Sequence, residues 1–354
     1  METLRLSEIR FDRKWLTGCL RELIETDSPV GFYERIVPVM ERYAAELGLK
    51  LTQDRKHTLY LCLDGRDNSR TIMSGAHLDT LGAVVRRVDA DGSLRVRPLG
   101  GVNFYSLDGE SVRLYTRNGP VYTGLMVCQS HDTHVFDDAR SLARDENTMM
   151  IRLDEQVSCA ADVAALGIGH GDVVAFEPHF ETLENGYIIS RFLDDKAGVA
   201  AVLAALLWMK QHEIRPAYRT LLAFSFYEEI SHGGAYIPSE VEEFAVIDIG
   251  LIGPDYDGTE EGVSICAKDK FSPYDRDLTT RLIRIAETGG LRYAVDVYHR
   301  YGSDAHAALR GGANIADALF GMPCYASHGV ERMHIKGIEE TARLLIGYLT
   351  AGKE

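Results

Sequence analysis

The two ends of the chain share a pattern in which helix-like and strand-like apolar runs alternate. Apolar residues recur at helical spacing over residues 13–26 and 34–47, which predicts two amphipathic helices. A nearly all-apolar stretch predicts a buried helix over 196–211, and the continuous apolar run at 220–227 predicts a strand covered on both faces. The other predicted elements are strands at 59–63, 71–76, 245–249, 263–267, 294–298 and 321–325, and helices at 278–288 and 338–349. Such alternation is typical of an α/β fold.

The middle of the chain has a different pattern of apolar and polar residues. Between about residues 84 and 189, short apolar runs are separated by Gly, Asp and Asn turns, which is typical of a small β-barrel or sandwich. The predicted strands lie at 94–96, 111–116, 119–126, 149–153, 172–176 and 187–190, with one helix over 154–166. We therefore predict a catalytic α/β domain formed by residues 1–83 and 190–354, and a β-rich inserted domain, barrel or PDZ-like, formed by residues 84–189.

Composition and charge limit the expected binding partners and cellular location of the protein. The 354 residues carry a net charge of −15, which disfavours binding to nucleic acid or to anionic membranes. The six cysteines are scattered without a CxxC pair, and a chain of this length can build its core without disulfides. The first residues lack the apolar segment of a signal peptide, and the longest apolar run, 197–209, is too short for a membrane span. We expect a cytoplasmic protein.

Acidic and histidine side chains gather where the predicted strands end, or just before the buried helix. They are His77, Asp79, Asp194, Asp195, Glu228, Glu229, Asp248 and His328. In an open α/β sheet the ligand crevice lies at the carboxyl ends of the strands, so these side chains should converge there. Carboxylates packed so closely would repel one another and protonate. A pair of divalent cations, each with an open position for water, would remove this conflict.

Each piece of this set also has a simpler interpretation. An Asp pair before a helix usually caps it, a Glu pair after a strand is usually solvated, and a lone histidine such as His328 is more often a surface or core residue than a ligand. The HxD at His77 is a weak motif by itself. Only the ordered set, with its spacings, indicates a metal site.

Several motifs, taken in order, resemble one peptidase family. They are AHLDTLG (76–82), RFLDDKAG (191–198), FSFYEE (224–229), VIDIG (246–250), GSDA (302–305) and CYASHG (324–329). Together they resemble the glutamyl/deblocking aminopeptidases, the co-catalytic metallopeptidases that form tetrahedral (TET) particles, and the resemblance runs through nearly the whole chain. The long separation of His77 from Asp194 leaves room for an insertion there. The shorter one from Asp248 to His328 leaves none for the lid domain of the related dipeptidase and acetylornithine-deacetylase family.

The resemblance implies an α/β/α metallopeptidase fold of the phosphorylase/hydrolase-like type with an inserted small β-barrel. It also implies two divalent metal ions, zinc first and cobalt or manganese as alternatives. Five side chains would hold them: His77, Asp194, Glu229, Asp248 and His328. Asp194 would bridge the ions, with His77 and Asp248 completing one site and Glu229 and His328 the other.

Two further roles follow from the resemblance. Glu228 would be the general base, and Asp79 would accept a hydrogen bond from His77 and fix its tautomer. The implied activity is removal of N-terminal residues from short peptides by a homo-oligomer, from dimer to dodecamer. The chain departs from the family pattern at Thr80, where Glu is common, and lacks the arginine usually found near His328. Its SHGVERMH segment (327–334) is similar to a bacterial branch linked to a dipeptide-amide osmoprotectant.

Other interpretations stay open at this point. A dinuclear amidohydrolase or deacetylase acting on a small acylated amino acid or dipeptide would use the same metals and base, and differs in not needing a free α-amine. A binding protein without activity is disfavoured, because every expected ligand and the base are present. The spacing of His131 and His134 could bind metal, but a structural or substrate-edge role is favoured, and His299 and His306 should line the pocket.

Overall fold

A computed structural model describes residues 5–352 of the chain. Its α-helices are α1 (Arg13–Glu25), α2 (Ile36–Leu47), α3 (Ala160–Ala165), α4 (Leu193–Gln211), α5 (Arg276–Gly289), α6 (Asp304–Arg310) and α7 (Ile335–Thr350). Its strands are β1 (Leu51–Gln53), β2 (Leu59–Leu63), β3 (Asp67–His77), β4 (Gly82–Val88), β5 (Leu94–Leu99), β6 (Glu110–Tyr115), β7 (Val121–Cys128), β8 (Met149–Leu153), β9 (Val173–Phe176), β10 (Glu181–Thr182), β11 (Tyr187–Ser190), β12 (Tyr218–Ser225), β13 (Val241–Ile247), β14 (Gly250–Leu251), β15 (Val263–Lys268), β16 (Tyr293–Val297), β17 (Ala316–Gly321), β18 (Pro323–Cys324) and β19 (Glu331–His334).

An eight-stranded mixed sheet forms the centre of the α/β part, in the order β1-β2-β12-β3-β13-β17-β15-β16. Strands β12, β3, β13 and β17 are parallel neighbours, so their carboxyl ends lie at one edge. Apolar side chains from α1, α2, α4, α5 and α7 form the larger core cluster on one face. Helix α6 contributes to a second cluster on the other face. The α/β fold and its helical layers confirm the predicted fold class.

Helix α4 lies at the centre of the larger core because nearly all of its residues after Lys196 are apolar. Every residue from Leu193 to Leu206 is buried, and most of them are Ala, Val, Leu or Gly. Small side chains let the helix pack closely on the sheet and on α1 and α7. The buried ammonium group of Lys196 donates to the carbonyls of Leu23 and Thr26, both at 2.7 Å. The predicted buried helix is therefore confirmed.

The middle of the chain forms a closed barrel in the order β4-β5-β8-β7-β6-β9. Its interior is filled by fully buried apolar side chains, among them Leu94, Leu114, Ile151 and Val174. Strand β11, which falls inside the predicted insertion except for Ser190, does not join this barrel and pairs with β10 and β19 instead. The boundaries at 83/84 and 189/190 remain a prediction. Within residues 5–352, no helix has both the length and the apolar character that a membrane span requires.

Two predicted elements differ from the structure. The helix predicted over 154–166 is only α3, because the carboxylate of Asp162 accepts from the backbone N–H groups of Ser158 and Cys159 and fixes a cap there. The strand predicted at 321–325 is displaced, since β17 ends at Gly321 and the next residues pair with β14. A Cβ atom at Gly321 would meet the Asp248 carbonyl oxygen at 1.8 Å, so the chain can pass this point only as glycine.

Candidate metal centre

The sheet topology delivers most of the predicted side chains to one edge. His77 is the last residue of β3, and Asp248 directly follows the neighbouring strand β13. The glutamate pair starts the short 3-10 helix Glu228–Ile230 just beyond β12, which is parallel to β3 on its other side. Asp194 lies at the start of α4, and His328 comes from the loop between β18 and β19. Sequence-distant residues therefore meet at one place.

Asp194 lies between the two histidines. Its Oδ1 is 3.2 Å from Nε2 of His77, and its Oδ2 is 3.7 Å from Nε2 of His328. Nε2 of His328 is also 3.4 Å from Oε2 of Glu229. Donor atoms on one tetrahedral zinc ion, with bonds near 2.1 Å, lie about 3.4 Å apart. The spacing and the chemistry of this donor set therefore fit divalent metal ions.

Both histidines direct Nε2 into the site because Nδ1 is held elsewhere. Nδ1 of His77 is 3.0 Å from the carbonyl oxygen of Asp79, and Nδ1 of His328 is 2.9 Å from the carbonyl oxygen of Gly101. A carbonyl only accepts hydrogen bonds, so each Nδ1 carries the proton and donates it. The lone pair is then on Nε2, where a metal ion would need it.

Besides orienting His77, Asp79 accepts hydrogen bonds from the backbone of the glutamate pair. Its carboxylate is fully buried and accepts from the backbone N–H groups of Glu228, at 3.2 Å, and Glu229, at 3.1 Å. The nearest acceptor for His77 is the backbone carbonyl of Asp79, while the carboxylate oxygen is farther from Nδ1, at 3.5 Å. Asp79 therefore connects the end of β3 to the glutamate pair.

The close packing of the carboxylates shifts their pKa values. Burial and then the charge of Asp194 raise the pKa of Asp248 to about 8 and raise that of Glu229 well above its usual range. Burial and the charge of Asp248 do the same to the pKa of Glu228. Burial opposes ionisation of Asp194 too, but without a metal ion His77 can take a second proton at Nε2 and donate it to Asp194, which lowers the pKa of Asp194. Bound cations would relieve this repulsion and keep the carboxylates ionised.

A second set of potential ligands contains Asp195. Donor atoms of His77, Asp195 and Asp248 lie within 4.8 Å of one another, as do those of His77, Asp194 and Glu229. The sequence places Asp195 at the strand-end edge but gives no reason to choose it as a ligand. Asp195 is fully buried, and burial with the charge of Asp248 raises its pKa well above the usual range. The structure thus offers one more oxygen donor beside Asp248 than the resemblance implies.

Glu331 is a buried carboxylate that the sequence did not single out. Its Oε1 accepts from the backbone N–H of His328 at 3.0 Å, and its Oε2 accepts from the backbone N–H of Asp194 at 3.1 Å. One side chain on β19 therefore fixes the backbone of two candidate ligands. Ser327 adds a hydrogen bond from its hydroxyl to Oδ2 of Asp194, at 3.0 Å. Such contacts depend on tertiary packing and leave no spacing signal.

The remaining predicted histidines lie elsewhere. His131 packs edge-on against Phe136, and within residues 5–352 neither it nor His134 belongs to a group that could hold a metal. Nδ1 of His299 is 3.1 Å from the hydroxyl of Tyr256, and the ring of His306 stacks on Phe271.

The chain matches the sequence model of a peptidase family and several proteins of known sequence or structure. A sequence model of the family described as M42 glutamyl aminopeptidase matches residues 58–344. A putative aminopeptidase of Bacillus subtilis strain 168, YhfE, is 39% identical over 331 residues, covering 93% of this chain and 96% of that protein. Among solved structures, the aminopeptidase APDkam598 of the archaeon Desulfurococcus kamchatkensis superposes with a TM-score of 0.86 at 22% identity, covering 96% of both chains. The Pyrococcus horikoshii TET1 peptidase, described as assembling into a tetrahedron or a large octahedral shell, superposes with a TM-score of 0.81 at 22% identity, covering 95% of this chain and 99% of that one.

Proposed function

Since the chain belongs to the M42 glutamyl aminopeptidase family and is a hydrolase of the peptidase class, we propose that it is a two-metal aminopeptidase that removes residues from the free N-terminus of short peptides. One observation carries the two-metal proposal. The carboxylate of Asp194 presents one oxygen to His77 and the other to His328, which is the arrangement that a carboxylate shared by two ions requires.

The metal set is the one that the family resemblance implies, and the contacts agree with it in part. Donor atoms of His77 lie within 4.8 Å of those of Asp194 and Glu229, and also of those of Asp195 and Asp248. His77, Asp194 and Asp248 would hold one ion, with Asp195 as a further oxygen donor beside Asp248. Asp194, Glu229 and His328 would hold the other. Bound divalent ions, zinc first and cobalt or manganese as alternatives, supply a water of lowered pKa and polarise the scissile carbonyl.

Glu228 is the proposed general base. Its Oε2 is 3.8 Å from Nε2 of His77, so it faces the site without being one of the five proposed ligands. Asp79 holds its backbone from behind. In this role the carboxylate takes a proton from the attacking water and later delivers it to the leaving amine.

The charge of the crevice favours a substrate with a free amine. The carboxylate of Asp304 lines the same cavity as His77, Glu228 and Asp248. It accepts from the hydroxyl of Ser225 at 2.5 Å and from the backbone N–H of Gly234 at 2.6 Å, so it is held in place. Two divalent ions would offset part of the negative charge of this cavity. The carboxylates that hold no ion, Glu228 and Asp304, would still attract an α-ammonium group, whereas an N-acylated substrate brings no positive charge.

The assembly and the compartment are part of the proposal. Solved relatives of the same fold include a peptidase described as forming a tetrahedron or octahedral shell, and we propose that this chain also works as a homo-oligomer. We propose a cytoplasmic location, with short peptides as partners and neither nucleic acid nor membrane. The acidic net charge of −15 is consistent with that choice.

The proposal is tested with a panel of aminoacyl anilides and their N-acetylated counterparts, assayed with zinc, cobalt and manganese. We expect hydrolysis of the free-amine substrates only. Glu228→Gln should bind both metals normally and lose turnover by a factor on the order of 10² or more. Hydrolysis of the acetylated substrates alone would instead establish an amidohydrolase or deacetylase, and near-normal turnover in the variant would exclude Glu228 as the base.

A further inference from the structure

Four arginines lie together on the outer face of the barrel, although the chain as a whole is acidic, with a net charge of −15. With two residues of the loop before β8 they line a surface cavity of about 80 Å³, which we call the arginine cavity: Arg86, Arg87, Arg95, Arg97, Glu146 and Asn147. One water molecule needs about 10–15 Å³ of such a cavity, so a small polyatomic ion fits. The proposed peptidase reaction uses none of these side chains.

A β-bulge brings the four guanidinium groups to one face. On β5, Arg95 and Arg97 alternate with buried apolar residues, so both side chains point out of the barrel. On β4 the register shifts between Val85 and Arg87, and the extra residue, Arg86, is exposed like Arg87. Arg87 lies directly opposite Arg95 in the ladder. Like charges in such cross-strand positions repel one another, so the arrangement calls for a compensating anion.

Hydrogen bonds hold two of the arginines in place. Nε of Arg95 donates to Oδ2 of Asp89 at 2.7 Å, and Nη1 of the same side chain donates to the carbonyl oxygen of Asn147 at 3.2 Å. Nη1 of Arg97 donates to the carbonyl oxygen of Glu146 at 3.1 Å. Backbone carbonyls carry no net charge, so their contacts orient the guanidinium groups without neutralising them.

The nearby carboxylates offset only part of the positive charge. Asp89 accepts from two of the arginines. Oε2 of Glu146 is 3.8 Å from Nε of Arg97, beyond hydrogen-bond distance, and 42% of each of these side chains is exposed, so the pair is weak. Among residues 5–352, the guanidinium group of Arg86 has no partner in a hydrogen bond or an ion pair. Four cations and two carboxylates leave two positive charges.

We propose that the arginine cavity binds a phosphate group, either as inorganic phosphate or as part of a small phosphate monoester. A phosphate monoester carries a charge of about −1.5 to −2 near pH 7, which matches the two uncompensated positive charges. A guanidinium group presents paired N–H donors that fit two phosphate oxygens, and the bound anion replaces repulsion among the arginines by attraction. The site lies outside the candidate metal centre and does not depend on the proposed peptidase function.

The test is isothermal titration calorimetry of the full-length, zinc-loaded protein at low ionic strength, with inorganic phosphate and glycerol 3-phosphate as probes. Phosphate that binds at the metal centre would do so equally in every variant, so differences between variants report on the arginine cavity. We expect Arg86→Gln and Arg97→Gln each to weaken binding about tenfold or more. Arg140→Gln is the matched control, because it removes the same charge from an exposed residue outside the cavity, and its affinity should stay within about twofold of the wild type.

Arg97→Lys keeps the charge but loses the paired donors, so its affinity should lie between those of the wild type and Arg97→Gln. The probe that binds more tightly identifies the source of the phosphate group. The proposal is overturned if the wild type binds neither probe at millimolar concentration, or if Arg86→Gln and Arg97→Gln bind like the wild type. An equal loss in Arg140→Gln would also overturn it, since net charge alone would then be responsible. Glutarate binding as tightly as phosphate would assign the cavity to carboxylates, and loss of an oligomer from Arg86→Gln in sedimentation would assign it to contact between copies of the chain.

Discussion

The substitution Gly101→Ala tests whether the barrel loop holds His328, a proposed metal ligand, in place. A Cβ atom at position 101 would lie 2.9 Å from Nδ1 and 3.1 Å from Cε1 of the His328 ring. The carbonyl of the same glycine accepts the Nδ1 proton at 2.9 Å, so the ring already lies directly against this backbone. The backbone of Gly101 does not adopt a positive φ, so alanine is compatible with the local conformation. The substitution should therefore displace the imidazole ring of His328 and leave the backbone of Gly101 unchanged.

The size of the effect follows from the contact distance. Ordinary contacts of a Cβ atom begin near 3.4 Å, so the ring must move by about 0.5 Å. Zinc–nitrogen bonds vary little around 2.0–2.1 Å, so a displacement of this size spoils the ligand geometry. Disturbing the residue that orients a ligating histidine typically lowers metal affinity by about 10–100-fold. We expect a loss of that size at the site proposed for His328 and Glu229, and a smaller loss at the other proposed site.

The assay is zinc titration of the metal-free protein in competition with a chromophoric chelator, which resolves two dissociation constants. Gly169→Ala is the control, because it adds the same methyl group to the barrel at a position with no atom within 4 Å. Thermal unfolding of the metal-free variants should match that of the wild type within a few degrees, which separates a local push from misfolding. Two unchanged dissociation constants in Gly101→Ala would refute the argument that the barrel loop positions His328.

Two further substitutions test buried carboxylates. Glu331→Gln leaves one of the two buried backbone N–H donors of Asp194 and His328 facing an amide NH₂, so the backbone of one candidate ligand should shift and zinc affinity should fall about 10–100-fold. An unchanged zinc titration would contradict this. Burial raises the pKa of Asp317 to about 6, above the unfolded value, so ionisation makes the wild type less stable as pH rises from about 4 to 6. The free energy of unfolding of Asp317→Asn, relative to that of the wild type, should therefore increase by about 1–2 kcal/mol from pH 4 to pH 7, after allowance for partial hydration of the carboxyl. An equal difference between the two proteins in urea unfolding at both pH values would contradict this.

The fold was predictable where burial leaves an unambiguous pattern. The apolar run that forms α4 and the continuous apolar strand β12 carry this signal. Strand β4 does not, because its exposed half begins with Arg86 and Arg87, and the ladder to β5 shifts register between Val85 and Arg87. A bulge of this kind breaks the alternation on which strand prediction depends.

The candidate site was predictable from topology more than from any single motif. His77 is the last residue of β3 and Asp248 directly follows β13, and the carboxyl ends of such parallel neighbouring strands lie at the same edge of the sheet. Nothing comparable identifies Glu331 or Gly101. Their contacts with the site depend on the packing of β19 and of a barrel loop, and no periodicity or spacing encodes such packing.

The barrel contributes a hydrogen-bonding group to the candidate site. The loop after β5 supplies the carbonyl that fixes the tautomer of His328. A second connection holds the barrel against the α/β part: Arg113 on β6 donates to both carboxylate oxygens of Asp27, at 2.6 and 2.7 Å, and Asp27 itself is buried. Two parallel N–H donors to one carboxylate fix orientation as well as distance. Because the acceptor for His328 comes from the insertion, the α/β part without its barrel would lack a complete site even if it folded.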